Sequence, residues 1–282
     1  MRALISFFAL IFVLSLSASE NIPRVDALVD WKANKIFLRA EWRLNGGYVQ
    51  AARADIRSRL RAALLAKLSG VVEAIYARGE DNNPSHDLSA YWATVRLDSF
   101  QIAENSASAT LDVALRGSHS LLSYLPERKW DEAWTSSTEA TPSVYDKRAL
   151  NSAYDTDDEE ALLYTGLVID ARELPFTPSL KTQIFTDSGR LLYGAQFLSR
   201  ATYVKRGAVG FFTAETQSEA RRRAGERPLT VPALDLARTS QNSLVISDED
   251  AAKLFAHEGS IQNLRRARVI ILLAPNKLQE KY

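Results

Sequence analysis

Tyr164-Thr165-Gly166-Leu167-Val168-Ile169-Asp170-Ala171-Arg172 decides how the second half of this chain is read. Residues 162–171 make an apolar strand, and beyond it lies a run of short extended segments and turns. Residues 181–186 and 190–195 flank Asp187-Ser188-Gly189, a hairpin turn with glycine where positive φ is needed. Gly207 and Gly210 bracket another bend. Pro228-Leu229-Thr230-Val231-Pro232 is extended, because proline restricts itself and the residue before it to non-helical backbone. Ser247-Asp248-Glu249-Asp250 opens a helix: Ser247 caps the free amides, and Asp250 reaches back in a capping box. That helix is expected to end near Gly259, and residues 267–273 form a last strand stopped by Pro275.

The first half has a different rhythm. Residues 25–31 and 35–44 read as two strands around the turn Lys32-Ala33-Asn34. In the second of these, Ile36, Leu38, Ala40, Trp42 and Leu44 alternate with Phe37, Arg39, Glu41 and Arg43, a period of two. Residues 48–78 form the strongest helix, because Ile56, Leu60, Leu64, Leu68, Val71, Val72 and Ile75 fall on one stripe. Arg53, Arg57, Arg59, Arg61 and Lys67 lie mostly off it. Residues 79–85 are a loop, and residues 91–102 and 107–115 a second hairpin. A helix laid across an antiparallel sheet buries both apolar faces at once.

The expected fold is therefore α+β: two small helix-on-antiparallel-sheet domains at 20–125 and 161–282, joined by a polar, acidic linker at 126–160. Residues 1–19 are expected to be a secretory signal. Arg2 precedes an apolar run from Ala3 to Leu16 that is short for a membrane span, with small residues around Ser17-Ala18-Ser19. No later segment is apolar and long enough to span a bilayer, so the expected location is a periplasm.

Composition narrows the chemistry. Net charge is +1, from 35 basic and 34 acidic residues, which gives no global field for nucleic acid or an anionic membrane. Absence of cysteine removes disulfides, thiolate metal sites, cysteine nucleophiles and lipid attachment through cysteine. The histidines are His86, His119 and His257, far apart in sequence. No Gly-x-Ser-x-Gly elbow is present, and Ser118-His119 on a strand would point to opposite faces. In the acidic run Asp155, Asp157, Asp158, Glu159 and Glu160, a calcium loop would need glycine where Glu160 stands, so the run reads as a solvated linker. No phosphate-binding glycine loop is present. Arg221-Arg222-Arg223, the Arg265-Arg266 pair with Arg268, and the arginines of the long helix are either solvated faces or contacts to an anionic envelope surface. Asp170 and Arg172, two apart on a strand, share a face and form either a local ion pair or a partner-contacting edge. The sequence assigns no catalytic residue, cofactor or metal ligand.

Tyr164 to Arg172, Pro178, Gly189, Tyr193-Gly194, the Gly207–Gly210 bend, Pro228-Leu229 with Val231, Val245-Ile246-Ser247 with Asp250-Ala251, and Arg268-Val269-Ile270-Ile271 together resemble the FlgP-like family of flagellar outer-membrane lipoproteins. The resemblance spans residues 162–272. It implies a non-enzymatic envelope protein that supports a flagellar structure at the outer membrane or in the periplasm. Its partners would be envelope or basal-body proteins, or further copies of itself, met through sheet edges and loops. The family is usually anchored by lipid on cysteine, which this chain lacks. Two other readings stand beside this one: an exported binding module for an envelope polymer or protein unrelated to motility, and an exported hydrolase working with carboxylates.

Overall fold

The computed structural model describes residues 22–44, 52–76, 88–124, 163–214, 217–238 and 240–282. The expected signal, the 126–160 linker with its acidic run, and His86 lie outside these residues. The class is α+β, as expected.

The first sheet has the order β13-β1-β2-β4-β3 and is antiparallel throughout. It is built from β1 (Arg24–Asp30), β2 (Lys35–Arg43), β3 (Ser99–Ala103), β4 (Ser106–Ala114) and β13 (Gln279–Lys281). Helix α1 (Arg53–Tyr76) lies on one face and buries Ile56, Leu60, Leu64, Leu68, Val71, Val72 and Ile75, the stripe read from the sequence. Beneath it are Ala27, Val29, Ile36, Leu38, Ala40, Ala107, Ala109, Leu111 and Val113, all buried. Ala40 and Ala109 are register partners, so the middle of the sheet presents small side chains to the helix.

Residues 91–102 are not one strand. Ser89–Thr94 form a short helix, α2, and only Ser99–Ala103 are extended. Packing overrides the strand preference of the aromatic residues here. Tyr91 is buried with its ring 4.8 Å from Tyr124, and Arg61 Nη2 donates to the carbonyls of Trp92 (2.9 Å) and Val95 (3.2 Å) at the end of the helix. That satisfies carbonyls which a helix terminus leaves open.

The second module holds the main correction. Its central sheet, β8-β12-β5-β9, is parallel, not antiparallel. The strands are β5 (Leu167–Asp170), β8 (Gly210–Phe212), β9 (Leu229–Pro232) and β12 (Val269–Leu272). Leu167, Val168 and Ile169 are all buried, as are Val269, Ile270 and Ile271. Successive buried residues on one strand need cover on both faces, which is the parallel-sheet arrangement. The hairpin expected around Gly189 exists, β6 (Ile184–Thr186) with β7 (Leu191–Tyr193), in a separate mixed sheet with β10 (Asp235–Ala237) and β11 (Ser240–Ile246). The crossovers carry helices α3 (Arg200–Arg206), α4 (Gln217–Ala224), α5 (Asp248–Phe255) and α6 (Glu258–Arg265). The helix expected to run to Gly259 is two helices. The first ends at Phe255; His257 then caps the second, its Nδ1 accepting from Gly259 N–H at 2.9 Å.

The two modules share one hydrophobic core. Trp31 meets Phe211 edge-on at 5.4 Å, and the Ile75 carbonyl at the end of α1 accepts from Leu180 N–H (3.2 Å) and Ser179 Oγ (3.0 Å). The last strand, β13, leaves the second module and pairs with β1, so the 161–282 segment contributes to all three sheets. Among the described residues no helix is long and apolar enough to cross a membrane.

Candidate functional site

The two faces of the parallel sheet have different fates. Leu167, Ile169, Val269 and Ile271 face the shared core. Val168 and Ile270 face the other way, into a small cluster with Ala224, Ala220, Phe212 and Leu272. Among the described residues helix α4 covers this second face, and two glycines let it approach. A Cβ on Gly166 would lie 2.4 Å from the Ala224 carbonyl oxygen, and one on Gly210 would lie 2.7 Å from Arg223 Cδ. Both are shorter than real Cβ contacts, and at Gly166 the obstacle is the backbone of α4 itself, so glycine there sets how close α4 can sit.

Helix α4 covers the lower part of the face and leaves the carboxyl ends of the strands open. A cleft of about 460 Å³ results, lined by Val168, Asp170, Arg172, Thr213, Ala214, Ala220, Arg221, Ala224, Pro228, Thr230 and Leu272. In open sheets of parallel strands, ligands meet the protein at the carboxyl ends. The floor is apolar, formed by Val168, Leu272, Ala220 and Ala224. The rim is polar.

Asp170 and Arg172 form a two-pronged ion pair on that rim. Arg172 Nε donates to Asp170 Oδ1 at 2.8 Å and Nη2 to Oδ2 at 2.6 Å, while the Arg172 amide donates to Oδ1 at 3.2 Å. Those bonds from Arg172 hold the Asp170 carboxyl below the usual carboxylate range, against the opposing effect of partial burial. Of the two readings of this pair, the local ion pair is what forms. The edge reading is corrected: β5 lies between β12 and β9 and is not an edge strand. Arg172 keeps Nη1 free of hydrogen bonds to other described residues, and so does the whole exposed guanidinium of Arg221.

The run Arg221-Arg222-Arg223 is split by the fold. Arg221 and Arg222 are exposed. Arg223 is buried, and its guanidinium donates to four carbonyls: Val269 (2.9 Å), Arg206 (2.7 Å), Gly207 (3.1 Å) and Ala208 (3.1 Å). Three of these carbonyls sit at and just beyond the end of α3, where a helix is left with unsatisfied oxygens and partial negative charge. Arg116 Nη1 donates to the same Arg206 carbonyl at 2.6 Å, tying the chain just past β4 to this junction. Burial first, then the neighbouring Arg116, pushes Arg223 down to about 9; burial and Arg206 push Arg116 down to about 10. These guanidiniums replace a counterion with backbone carbonyls, which is a structural use of charge. Arg268 also turns inward, to Asn263 Oδ1 at 3.1 Å, while Arg265 and Arg266 are exposed. On α1, Arg53 and Arg57 lie over the Phe100 ring at 5.6 and 5.9 Å, and Arg59 pairs with Asp55 at 2.9 Å.

Ser118 and His119 occupy an exposed turn, not a strand. His257 spends Nδ1 as a helix cap. Among the described residues no group of three or more His, Asp or Glu is placed to hold a metal ion. Asp248 sits in a local network: Arg190 and Ser188 donate to its Oδ1, and its own amide donates to Asp187 Oδ1 at 3.1 Å. Burial would raise the Asp248 carboxyl, but hydrogen bonds with Asp187, Arg190, Ser188 and Thr186 outweigh it and take it down to about 2.

The cleft was not legible in the sequence, because its walls come from four strands and a helix that the turn-rich reading did not assemble. Gly166 and Gly210, each beside an apolar strand, were the available signal of a close helix. Residues 166–275 match the family model described as Treponema pallidum Tp0624, second domain. That stretch starts at β5 and stops before β13, so it takes in the parallel sheet, the mixed sheet and the cleft. It covers under half of the chain. No curated protein matches the chain.

Proposed function

We propose that this chain is an exported, non-enzymatic structural or assembly protein of a bacterial cell envelope, supporting a flagellar structure in the periplasm or at the outer membrane. Three things support the reading. Residues 1–19 have the form of a secretory signal. Residues 162–272 resemble the FlgP-like family. The observation that carries the non-enzymatic part is the state of Asp170. Among the described residues it is the one carboxylate lining the cleft, and Arg172 holds both its oxygens. A carboxylate hydrolase would need a second acid facing it, whereas the other described polar groups of the cleft are Arg172, Arg221, Thr213 and Thr230.

Assembly by strand addition has to choose an edge. On β9, Leu229 and Ala233 donate towards β5, so positions 228, 230 and 232 face outwards. Two of those are Pro228 and Pro232, which have no amide to offer. β3, an edge strand of the first sheet, reads SFQIA, with neither proline nor charge, and fits the mechanism better. A second reading, a binding module for an envelope polymer or protein unrelated to motility, is favoured by the cleft itself. Deleting the gene separates the two. Loss of swimming with basal-body components recovered on the tagged chain supports the flagellar role, and normal filaments and swimming eliminate it.

A further inference from the structure

We propose that the cleft at the carboxyl ends of β5, β8, β9 and β12 is a binding site for an aliphatic carboxylate, seated with its acid on the Arg221 and Arg172 guanidiniums and its hydrocarbon on the Val168–Leu272 floor. At about 460 Å³ the cleft is within the size range of small-ligand sites. Its floor is four apolar side chains, Val168, Leu272, Ala220 and Ala224. Among the described residues the charges on its lining are one acid and two guanidiniums, and the acid is neutralised by one of them. A single positive charge is left over beside an apolar surface, which complements a ligand with one negative charge and a hydrocarbon part.

Asp170 has a definite task in this site. By engaging Nε and Nη2 of Arg172, it fixes the guanidinium plane and leaves the Nη1 edge for a ligand. Asp170 is thus a positioning residue for Arg172. A guanidinium held in one orientation loses less freedom when it takes a carboxylate, and charge-assisted bonds of this kind are among the stronger ones. Arg221 projects from α4, the element that walls the cleft, and has no competing partner among the described residues. Thr230 adds an exposed hydroxyl on the β9 side. An aliphatic carboxylate can come from a peptide C-terminus or from a fatty acid. This inference does not rest on the envelope reading, and its failure leaves that reading standing.

Calorimetric titration of the full chain tests it, with three probes: N-acetyl-valyl-leucine, the same dipeptide as its carboxamide, and octanoate. The expected result is binding of at least one free acid, with the carboxamide weaker by about tenfold or more. Arg221→Glu should abolish binding while leaving the unfolding midpoint unchanged, because Arg221 is exposed; Arg221→Lys should retain most of it. Asp170→Asn should weaken binding several-fold although it removes a negative charge, an outcome that simple charge counting reverses. Preference for the dipeptide identifies a peptide C-terminus as the source, and preference for octanoate a fatty acid. The proposal is overturned if the carboxamide binds as tightly as the acid, if Arg221→Glu binds as the parent does, or if neither acid binds at about 10 mM.

Discussion

A Cβ on Gly166 would stand 2.4 Å from the carbonyl oxygen of Ala224. Helix α4 therefore rests on the parallel sheet at a distance only glycine permits, and the height of the cleft wall depends on it. Gly166→Ala should push α4 outward and cost about 1–3 kcal/mol, as overpacking does. Gly70→Ala, in the exposed face of α1 with nothing within 4 Å, should instead stabilise by about 0.5–1 kcal/mol. Urea unfolding of both variants checks the contrast.

Arg223 is expected to matter far more than its neighbours in the Arg221-Arg222-Arg223 run. Arg223→Met leaves the carbonyls of Arg206, Gly207, Ala208 and Val269 without their shared donor and should cost about 3 kcal/mol. Arg222→Ala, at an exposed position, should stay within about 0.5 kcal/mol of the parent. Equal effects from the two would show that the junction beyond α3 does not depend on Arg223.

What the sequence disclosed and what it withheld have one physical cause. The α1 stripe and the alternation along β2 are local periods, and both appear in the fold where they were read. The turn at Asp187-Ser188-Gly189 is also local, and Gly189 has φ of 82°. The order of the central sheet is not local: β5 pairs with β9 and β12, partners far along the chain, and an apolar strand carries no mark of the direction in which it pairs. Strand content in the second module was legible for that reason, and its parallel topology was not. Arginine roles were hidden in the same way. Arg221 and Arg223 look alike in a run of three, and only the helix beneath them sends one to solvent and one to the interior.

Acid should reveal the Asp248 network. Its carboxyl falls from 3.8 in the ordinary state to about 2 in the fold, so the unfolded chain binds the proton more readily. The stabilisation is fully present above pH 4 and is lost as pH falls through about 2. Allowing for solvent screening at this partly exposed site, the loss should be about 1 kcal/mol. Thermal melts of the parent between pH 5 and pH 2 should show it, and Asp248→Asn should flatten that part of the profile.

The cap of α5 gives a smaller, cleaner test. Ser247 Oγ accepts from the Asp250 amide at 3.0 Å and meets Asp250 Oδ2 at 2.8 Å, so serine and aspartate are joined side chain to side chain, a variation on the expected box. Ser247→Ala should cost about 1 kcal/mol, and Ser247→Asp should recover most of it. Denaturation midpoints of the two variants read this directly.

The central claim is that this chain assembles with other envelope macromolecules through a sheet edge, and photo-crosslinking in living cells tests it most directly. A photoreactive phenylalanine replaces Gln101, exposed on β3, in one strain and Ala62, exposed on α1, in another. The account predicts that the Gln101 probe yields adducts with envelope or basal-body proteins in the exported fraction, and that the Ala62 probe does not. An exported chain that remains monomeric and without adducts at Gln101, or one that stays in the cytosol, would contradict it.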